Sequence, residues 1–323
     1  MTSARFCSGL ARLLFAGLAL SSLAQQPMQT KFRTTGQSMI VVPVMINGAG
    51  PFDFQLDTGC SLSIVDQKIA EELHLQLTGR AILDTAQSEA VTTVSHIDSM
   101  RMGEASVAGL DVIVADRLVD LQYKVRGVLG EDFLQHFDVL IDNRHHVIQM
   151  ESGPGPLGNM LGGERLQLSS VGSEGEQLDP NRLVIVGKFE EMRDHEAKLQ
   201  VDSGAPYLLL FSQVERPDPG NQPTTFPVIG VLKGSFAAYA RSLRLHLGKG
   251  FFSDVMAVVP TETVTQHNVA GLLPTSMFRS IYISHSARFV ILNPSVNEKG
   301  EKQVLAKSKT PLAKEDDSDL WDE

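Results

Sequence analysis

The feature that most limits what this chain can become is that it repeats itself. Asp57-Thr58-Gly59 returns as Asp202-Ser203-Gly204, 145 positions later. Val94 to Gly103 has a counterpart in Tyr239 to Gly248, and Val112-Ile113-Val114 in Ala257-Val258-Val259, both at that same offset. Gly127-Val128-Leu129-Gly130 matches Gly271-Leu272-Leu273-Pro274, 144 positions on. An Asp-Thr/Ser-Gly tripeptide arises by chance on the order of 0.1 times in a chain of this size. Two copies, each followed by the same landmarks at the same spacing, therefore mark a duplicated unit. The first runs from about Ser38 to Glu151 and the second from about Asn181 to Pro294. Between them, Ser152-Gly153-Pro154-Gly155-Pro156 and Gly162-Gly163 read as a turn-rich boundary.

Inside each unit the hydrophobic period is two. Phe52, Phe54 and Leu56 alternate with Asp53, Gln55 and Asp57, and Leu199 and Val201 alternate with Gln200 and Asp202. That is the pattern of a strand with one face in a core. With 27 Gly and 15 Pro among 323 residues, turns are frequent enough to join many short strands. One short helix is expected from Asp66 to Leu73, with Asp66 as N-cap and Ile69, Ala70 and Leu73 on one face. The expected class is all-β: a bilobal fold of two pseudo-symmetric, mostly antiparallel β lobes with short helices.

The ends of the chain read differently. Arg5 and Arg12 precede an apolar run from Leu13 to Leu20, and Ser22-Leu23-Ala24 offers small residues for cleavage. Residues 1–24 thus have the form of a signal peptide, and the run is too short for a stop-transfer span. An uncleaved membrane anchor is the alternative. Export implies a periplasmic or extracellular protein starting near Gln25, with Cys60 as its remaining thiol. The first lobe is then expected over 25–155, the second over 156–296, and a disordered charged tail over 297–323. Two cysteines exclude a disulfide framework and a four-thiolate zinc site. A net charge of −10 argues against nucleic-acid binding, which needs a basic surface. No later run of about 18 apolar residues offers a membrane span, so the mature form is expected off the membrane; a monomer is the expected state.

An apolar strand that ends in Asp-Thr/Ser-Gly carries a carboxylate out of the core at a fixed point. The hydroxyl beside it can bond across to a partner loop, and Gly permits a tight turn whose N–H groups approach the carboxylate. Pseudo-twofold pairing of two such loops would set Asp57 beside Asp202. Like charges that close cannot both ionise, so the pair would hold one proton and present an acid and a base together.

Phe54 to Gly59, Gly127 to Leu134, Leu199 to Gly204 and Gly271 to Phe278 resemble the pepsin/retropepsin-like aspartic proteases, in a single-chain, two-lobe bacterial form. The resemblance implies an aspartic endopeptidase acting on a peptide or unfolded protein, without cofactor or metal. It implies Asp57 and Asp202 as catalytic residues, supported by Thr58, Gly59, Ser203 and Gly204. Family members close a β-hairpin flap over substrate. Pro227 to Tyr239, with Gly230 and Gly234, fits one better than Leu83 to Val94, which has neither Tyr nor Gly. The chain departs from the family at Pro274, where Gly is the pattern. Cys60 and Ala205 also stand where pepsins carry a hydroxyl residue after the glycine. A peptide- or protein-binding module on the same fold, without catalysis, is the other reading.

The remaining polar residues carry less. Gln55 and Gln200 share the face of the two Asp residues and read either as loop-orienting groups or as ordinary strand-edge residues. His145 and His146 are expected on opposite faces of a strand, away from any metal ligand set. Cys60 reads as a packed residue, since no His or Asn arrangement points to it. Glu131 and Asp132 read as surface acids in a turn.

Overall fold

The computed structural model describes residues 26–35, 39–84, 89–115, 125–160, 162–173, 175–192, 196–211, 224–227, 235–261 and 268–294. The expected signal peptide, 1–24, and the expected charged tail, 297–323, lie outside them, as do Gly230 and Gly234.

Asn47 and Gly48 show how local chemistry sets the strand register. Both take positive φ (49° and 80°), the twist that lets a two-residue turn join antiparallel strands. They connect β3 (Ile40–Ile46) to β4 (Ala49–Leu56), after the short β1 (Met28–Lys31) and β2 (Arg33–Thr34). Then come β5 (Ile64–Asp66), α1 (Gln67–Glu72), β6 (Leu77–Asp84), β7 (Glu89–Met102), β8 (Ala105–Ala115) and β9 (Gly127–Leu129). The first half ends with α2 (Glu131–Leu134), β10 (Asp138–Asp142) and β11 (Val147–Glu151). The second half runs through β12 (Glu164–Gln167), β13 (Val184–Phe189), β14 (Glu196–Asp202), β15 (Leu208–Leu210) and β16 (Thr224–Pro227). It closes with β17 (Ser235–Leu247), β18 (Phe251–Pro260), β19 (Gly271–Pro274), β20 (Ser280–Ser284) and β21 (Phe289–Leu292). The class is all-β, as the alternation implies. Asp66 caps α1 as expected, its carboxylate accepting the Ile69 N–H at 2.7 Å, with Ile69 and Ala70 buried.

The duplication is visible in the sheets. The first lobe is one sheet in the order β2-β3-β4-β9-β5-β8-β7-β6, and the second is β13-β14-β19-β15-β18-β17-β16. A β3–β7 pairing in one and a β13–β17 pairing in the other curl each sheet onto itself. In both, the strand that ends at the Asp loop runs parallel to a Gly-led strand. Phe54 faces Gly127 and Leu56 faces Leu129; likewise Leu199 faces Gly271 and Val201 faces Leu273.

A third sheet has no counterpart among the expectations. It runs β1-β11-β10-β20-β21-β12 and takes strands from both halves. They meet at β10–β20, where Val139 faces Ile283 and Ile141 faces Ile281. These four side chains are buried in the apolar cluster that also holds Phe54, Leu56, Leu199 and Val201. Burying each such side chain is worth roughly 1.5–3 kcal/mol, so the junction is an integral part of the core.

Two expectations are corrected here. His145 and His146 are not on a strand but in the β10–β11 turn, where His146 takes φ +54°. Glu131 and Asp132 are not surface acids; both are buried at the start of α2. The first N–H groups of α2 are spent on Cys60 and Ser61 carbonyls (2.8 and 3.1 Å), which draws the acidic side chains under the Asp57 loop. There Asp132 accepts the Ser63 hydroxyl at 2.6 Å.

Glu131 meets His285, which belongs to the β20–β21 turn, at 2.9 Å, and both side chains are buried. Nδ1 of His285 lies 2.6 Å from the Phe137 carbonyl, which only accepts, so Nδ1 carries a hydrogen. The Nε2–Oε2 contact then also needs a proton between its atoms, and the pair holds it in common. Burial pushes Glu131 up. Burial alone would lower His285, but the hydrogen bond and charge of Glu131 hold it above its ordinary value. A raised folded pKa gives stability that is present below about pH 6.5, the unfolded histidine value, and is lost as pH rises through the folded value. Urea unfolding of the wild type and of E131Q/H285Q checks this. The wild type's margin over the double variant should shrink between pH 6.5 and 9, whereas a margin independent of pH would contradict it.

Candidate active site

Each Asp loop begins where a buried strand runs out. Beyond Leu56 and Val201 the chain turns, and the residue after each Asp points its hydroxyl at the other lobe. Thr58 Oγ1 donates to the Val201 carbonyl (3.0 Å) and accepts the Ser203 N–H (3.0 Å). Ser203 Oγ donates to the Leu56 carbonyl (2.9 Å) and accepts the Thr58 N–H (3.0 Å). Both hydroxyl residues are buried. Four reciprocal bonds thus lock the two loops in pseudo-twofold register.

The carboxyl groups are folded back by their own turns. Gly59 N–H donates to Asp57 Oδ1 at 2.8 Å; Gly204 and Ala205 N–H donate to Asp202 Oδ1 at 2.7 and 3.0 Å. Each carboxyl then reaches over the opposite glycine. A Cβ on Gly59 would meet Asp202 Oδ2, and one on Gly204 would meet Asp57 Oδ2. The absent side chains are the space in which each carboxyl lies against the opposite loop, next to its partner. Burial raises both above the ordinary carboxylate range, and the Asp57 charge raises Asp202 further; the turn N–H groups only partly offset this. The pair keeps one proton beyond the pH at which a free carboxyl would lose it.

The loops are backed differently. Behind Asp57, Gly130 N–H donates to Ser63 Oγ at 3.0 Å. The matching residues in the second lobe are Pro274 and Leu208, both buried. Pro274 has no N–H to give and Leu208 no side-chain oxygen to receive one. The departure at Pro274 is therefore matched by its neighbour: a polar contact is exchanged for an apolar one, and no group is orphaned.

Asp57, Thr58, Gly59, Asp202, Ser203 and Gly204 are thus brought to one point. Gly230 and Gly234 fall outside the described residues, between β16 and β17; the tip between β6 and β7 falls outside them too. Gln55 and Gln200 are buried rather than at a strand edge. Burial and then the Asp57 charge push the Cys60 thiol well up, and its Sγ lies 3.0 Å from the Leu62 carbonyl, so it stays protonated and packed. Among the described residues no cluster of three His, Cys, Asp or Glu side chains has the geometry to hold a metal ion. Sequence reasoning missed His285 and Arg182, because neither has a counterpart that the repeat would mark.

The family model for aspartyl proteases matches residues 42–133. No curated protein matches the sequence. Among solved structures, the aspartic proteinase from Irpex lacteus is similar over 83% of this chain and 97% of its own, with a TM-score of 0.55 at 10% identity. That likeness is one of fold. A retropepsin-like aspartic protease from Rickettsia conorii matches 38% of this chain and 89% of its own, at 18% identity and a TM-score of 0.30. The first lobe thus matches the aspartyl protease model over residues 42–133, and across most of its length the chain has the fold of an aspartic proteinase.

Proposed function

We propose that the protein is an exported aspartic endopeptidase whose catalytic residues are Asp57 and Asp202. The observation that carries this reading is the crossing of the two carboxyls over each other's glycines, where one shared proton leaves one acid and one base together. A water held by the pair gives a proton to the ionised carboxylate as its oxygen attacks the peptide carbonyl carbon. The protonated carboxyl donates to the carbonyl oxygen, giving a neutral tetrahedral diol. A proton then passes to the amide nitrogen, the C–N bond breaks, and the two products are a carboxylic acid and an amine. A module that only bound peptides would have no use for two buried carboxyls held against each other, an arrangement that burial and like charge make costly.

The substrate is an extended peptide or unfolded segment laid between the lobes and paired as an added strand. The amino-terminal stretch with Arg5, Arg12 and Leu13 to Leu20 supports export to the periplasm or the medium.

Asp57→Asn and Asp202→Asn should each lower hydrolysis of a peptide library by on the order of 10³-fold or more, because neither carboxyl is acid and base alone. The double variant should be little worse than either single one. A single variant that keeps wild-type turnover would end this reading.

The pH profile follows from the same pair. Activity falls on the acid side as the ionised carboxyl gains a proton and on the alkaline side as the last proton leaves. Cys60 gives its thiol to Leu62, and Ala205 has no side-chain donor, so neither adds a hydroxyl bond to the ionised pair. The alkaline limb should therefore lie above that of an otherwise similar pair with such donors. Ala205→Thr adds one beside Asp202; a bond to the ionised form lowers the pKa, and the alkaline limb should move to lower pH. A pH–rate profile that Ala205→Thr leaves unmoved would remove the role given to the missing donors.

A further inference from the structure

Beside the hydroxyl lock lies another bond between the lobes, and it runs one way. Gln200, on β14 two residues before Asp202, is buried, and its Nε2 donates to the Gly59 carbonyl at 3.2 Å. Arg182 donates to Gln200 Oε1 from both Nε (3.1 Å) and Nη2 (2.7 Å). A guanidinium carries only donors, so the amide must turn its oxygen to Arg182, which leaves its nitrogen for Gly59. Arg182 thereby sets which way round the amide sits. Turned over, the amide would put oxygen against oxygen at Gly59.

The residue so held is the one on which both carboxyls depend. Gly59 N–H donates to Asp57, and the Gly59 Cα lies under Asp202. The matching Gln55, though buried, makes no such bond to Gly204 among the described residues. Beside the reciprocal hydroxyl lock, this glutamine bond is thus made by the second lobe alone.

We propose that Gln200 is a positioning residue for the Asp57–Asp202 pair, keyed by Arg182, and that it sets the height of the Gly59 peptide against the two carboxyls. This deepens the endopeptidase reading and rests on it.

Gln200→Glu separates positioning from mere packing. The carboxylate keeps the volume and gains an ion pair with Arg182, but it has no hydrogen for the Gly59 carbonyl and places an acceptor against it. With the full chain and a cleavable peptide, Gln200→Glu should melt no lower than the wild type while kcat falls by about tenfold to a hundredfold and KM changes little, as expected of misplaced reacting groups. Arg182→Lys, which keeps the charge but loses the fork, should fall between the two. Wild-type kcat in Gln200→Glu would overturn the proposal, as would a kcat loss matched by an equal loss of folded protein.

A second readout does not need turnover. Carboxyl NMR of ¹³C-Asp-labelled protein follows the proton shared by the pair. In Gln200→Met the Gly59 peptide is released, its N–H bond to Asp57 loosens, and the last proton should leave at a pH higher by about half a unit, since a weaker bond to the ionised form raises the pKa. A midpoint unmoved in Gln200→Met overturns the clamp even if the wild type cleaves no peptide, an outcome that would separately end the endopeptidase reading.

Discussion

The crossed bonds of Thr58 and Ser203 are the interaction on which the rest of the structure depends. Each hydroxyl takes an N–H from the opposite loop and gives its hydrogen to the opposite strand end, over 2.9–3.0 Å. All are buried, so losing either hydroxyl would strand an N–H and a carbonyl at about 1–3 kcal/mol each. That penalty opposes the repulsion between two carboxyls that would otherwise drift apart. The bare glycines complete the geometry, because any side chain at 59 or 204 would occupy the place of the facing carboxyl. The shared six-stranded sheet holds the lobes from below, through Val139, Ile141, Ile281 and Ile283.

The duplication has not stayed symmetric, and its departures share a direction. Behind Asp57 the contacts are polar and charged: Gly130 on Ser63, Ser63 on Asp132, and Glu131 on His285. Behind Asp202 stand Pro274 and Leu208, and the neighbouring junction is made by Asn143, whose Nδ2 donates to the Thr275 and Phe278 carbonyls. The first loop is thus held by titratable groups and the second by neutral ones. The two carboxyls have nearly the same local geometry but different electrostatic surroundings.

Much of this was legible in the residues. The constant offset between the two Asp loops announced two equivalent lobes, and the period-two alternation before each loop announced the strands. Asp66 capped its helix because an Asp followed by Ile69, Ala70 and Leu73 is a local signal. What was not legible was nonlocal. The shared sheet joins β10 to β20 across more than a hundred residues, with nothing in either strand that names its partner. Glu131 and Asp132 looked like surface acids because charge next to Gly is usually a turn. Their burial depends on Ser63 and His285, which only the folded chain brings near. His145 and His146 looked like strand residues because apolar strands flank them on both sides, yet the chain must reverse there for β11 to pair with β10.

The central claim is that Asp57 and Asp202 hold one proton between them beyond the pH at which a free carboxyl would lose it. It is tested most directly by carboxyl titration of ¹³C-Asp-labelled wild-type protein, with D57N and D202N used to assign the signals. The account predicts one carboxyl of the pair still protonated well above the ordinary range near pH 4, with both signals moving together as that proton leaves. Two carboxyls that titrate independently near pH 4 would contradict it.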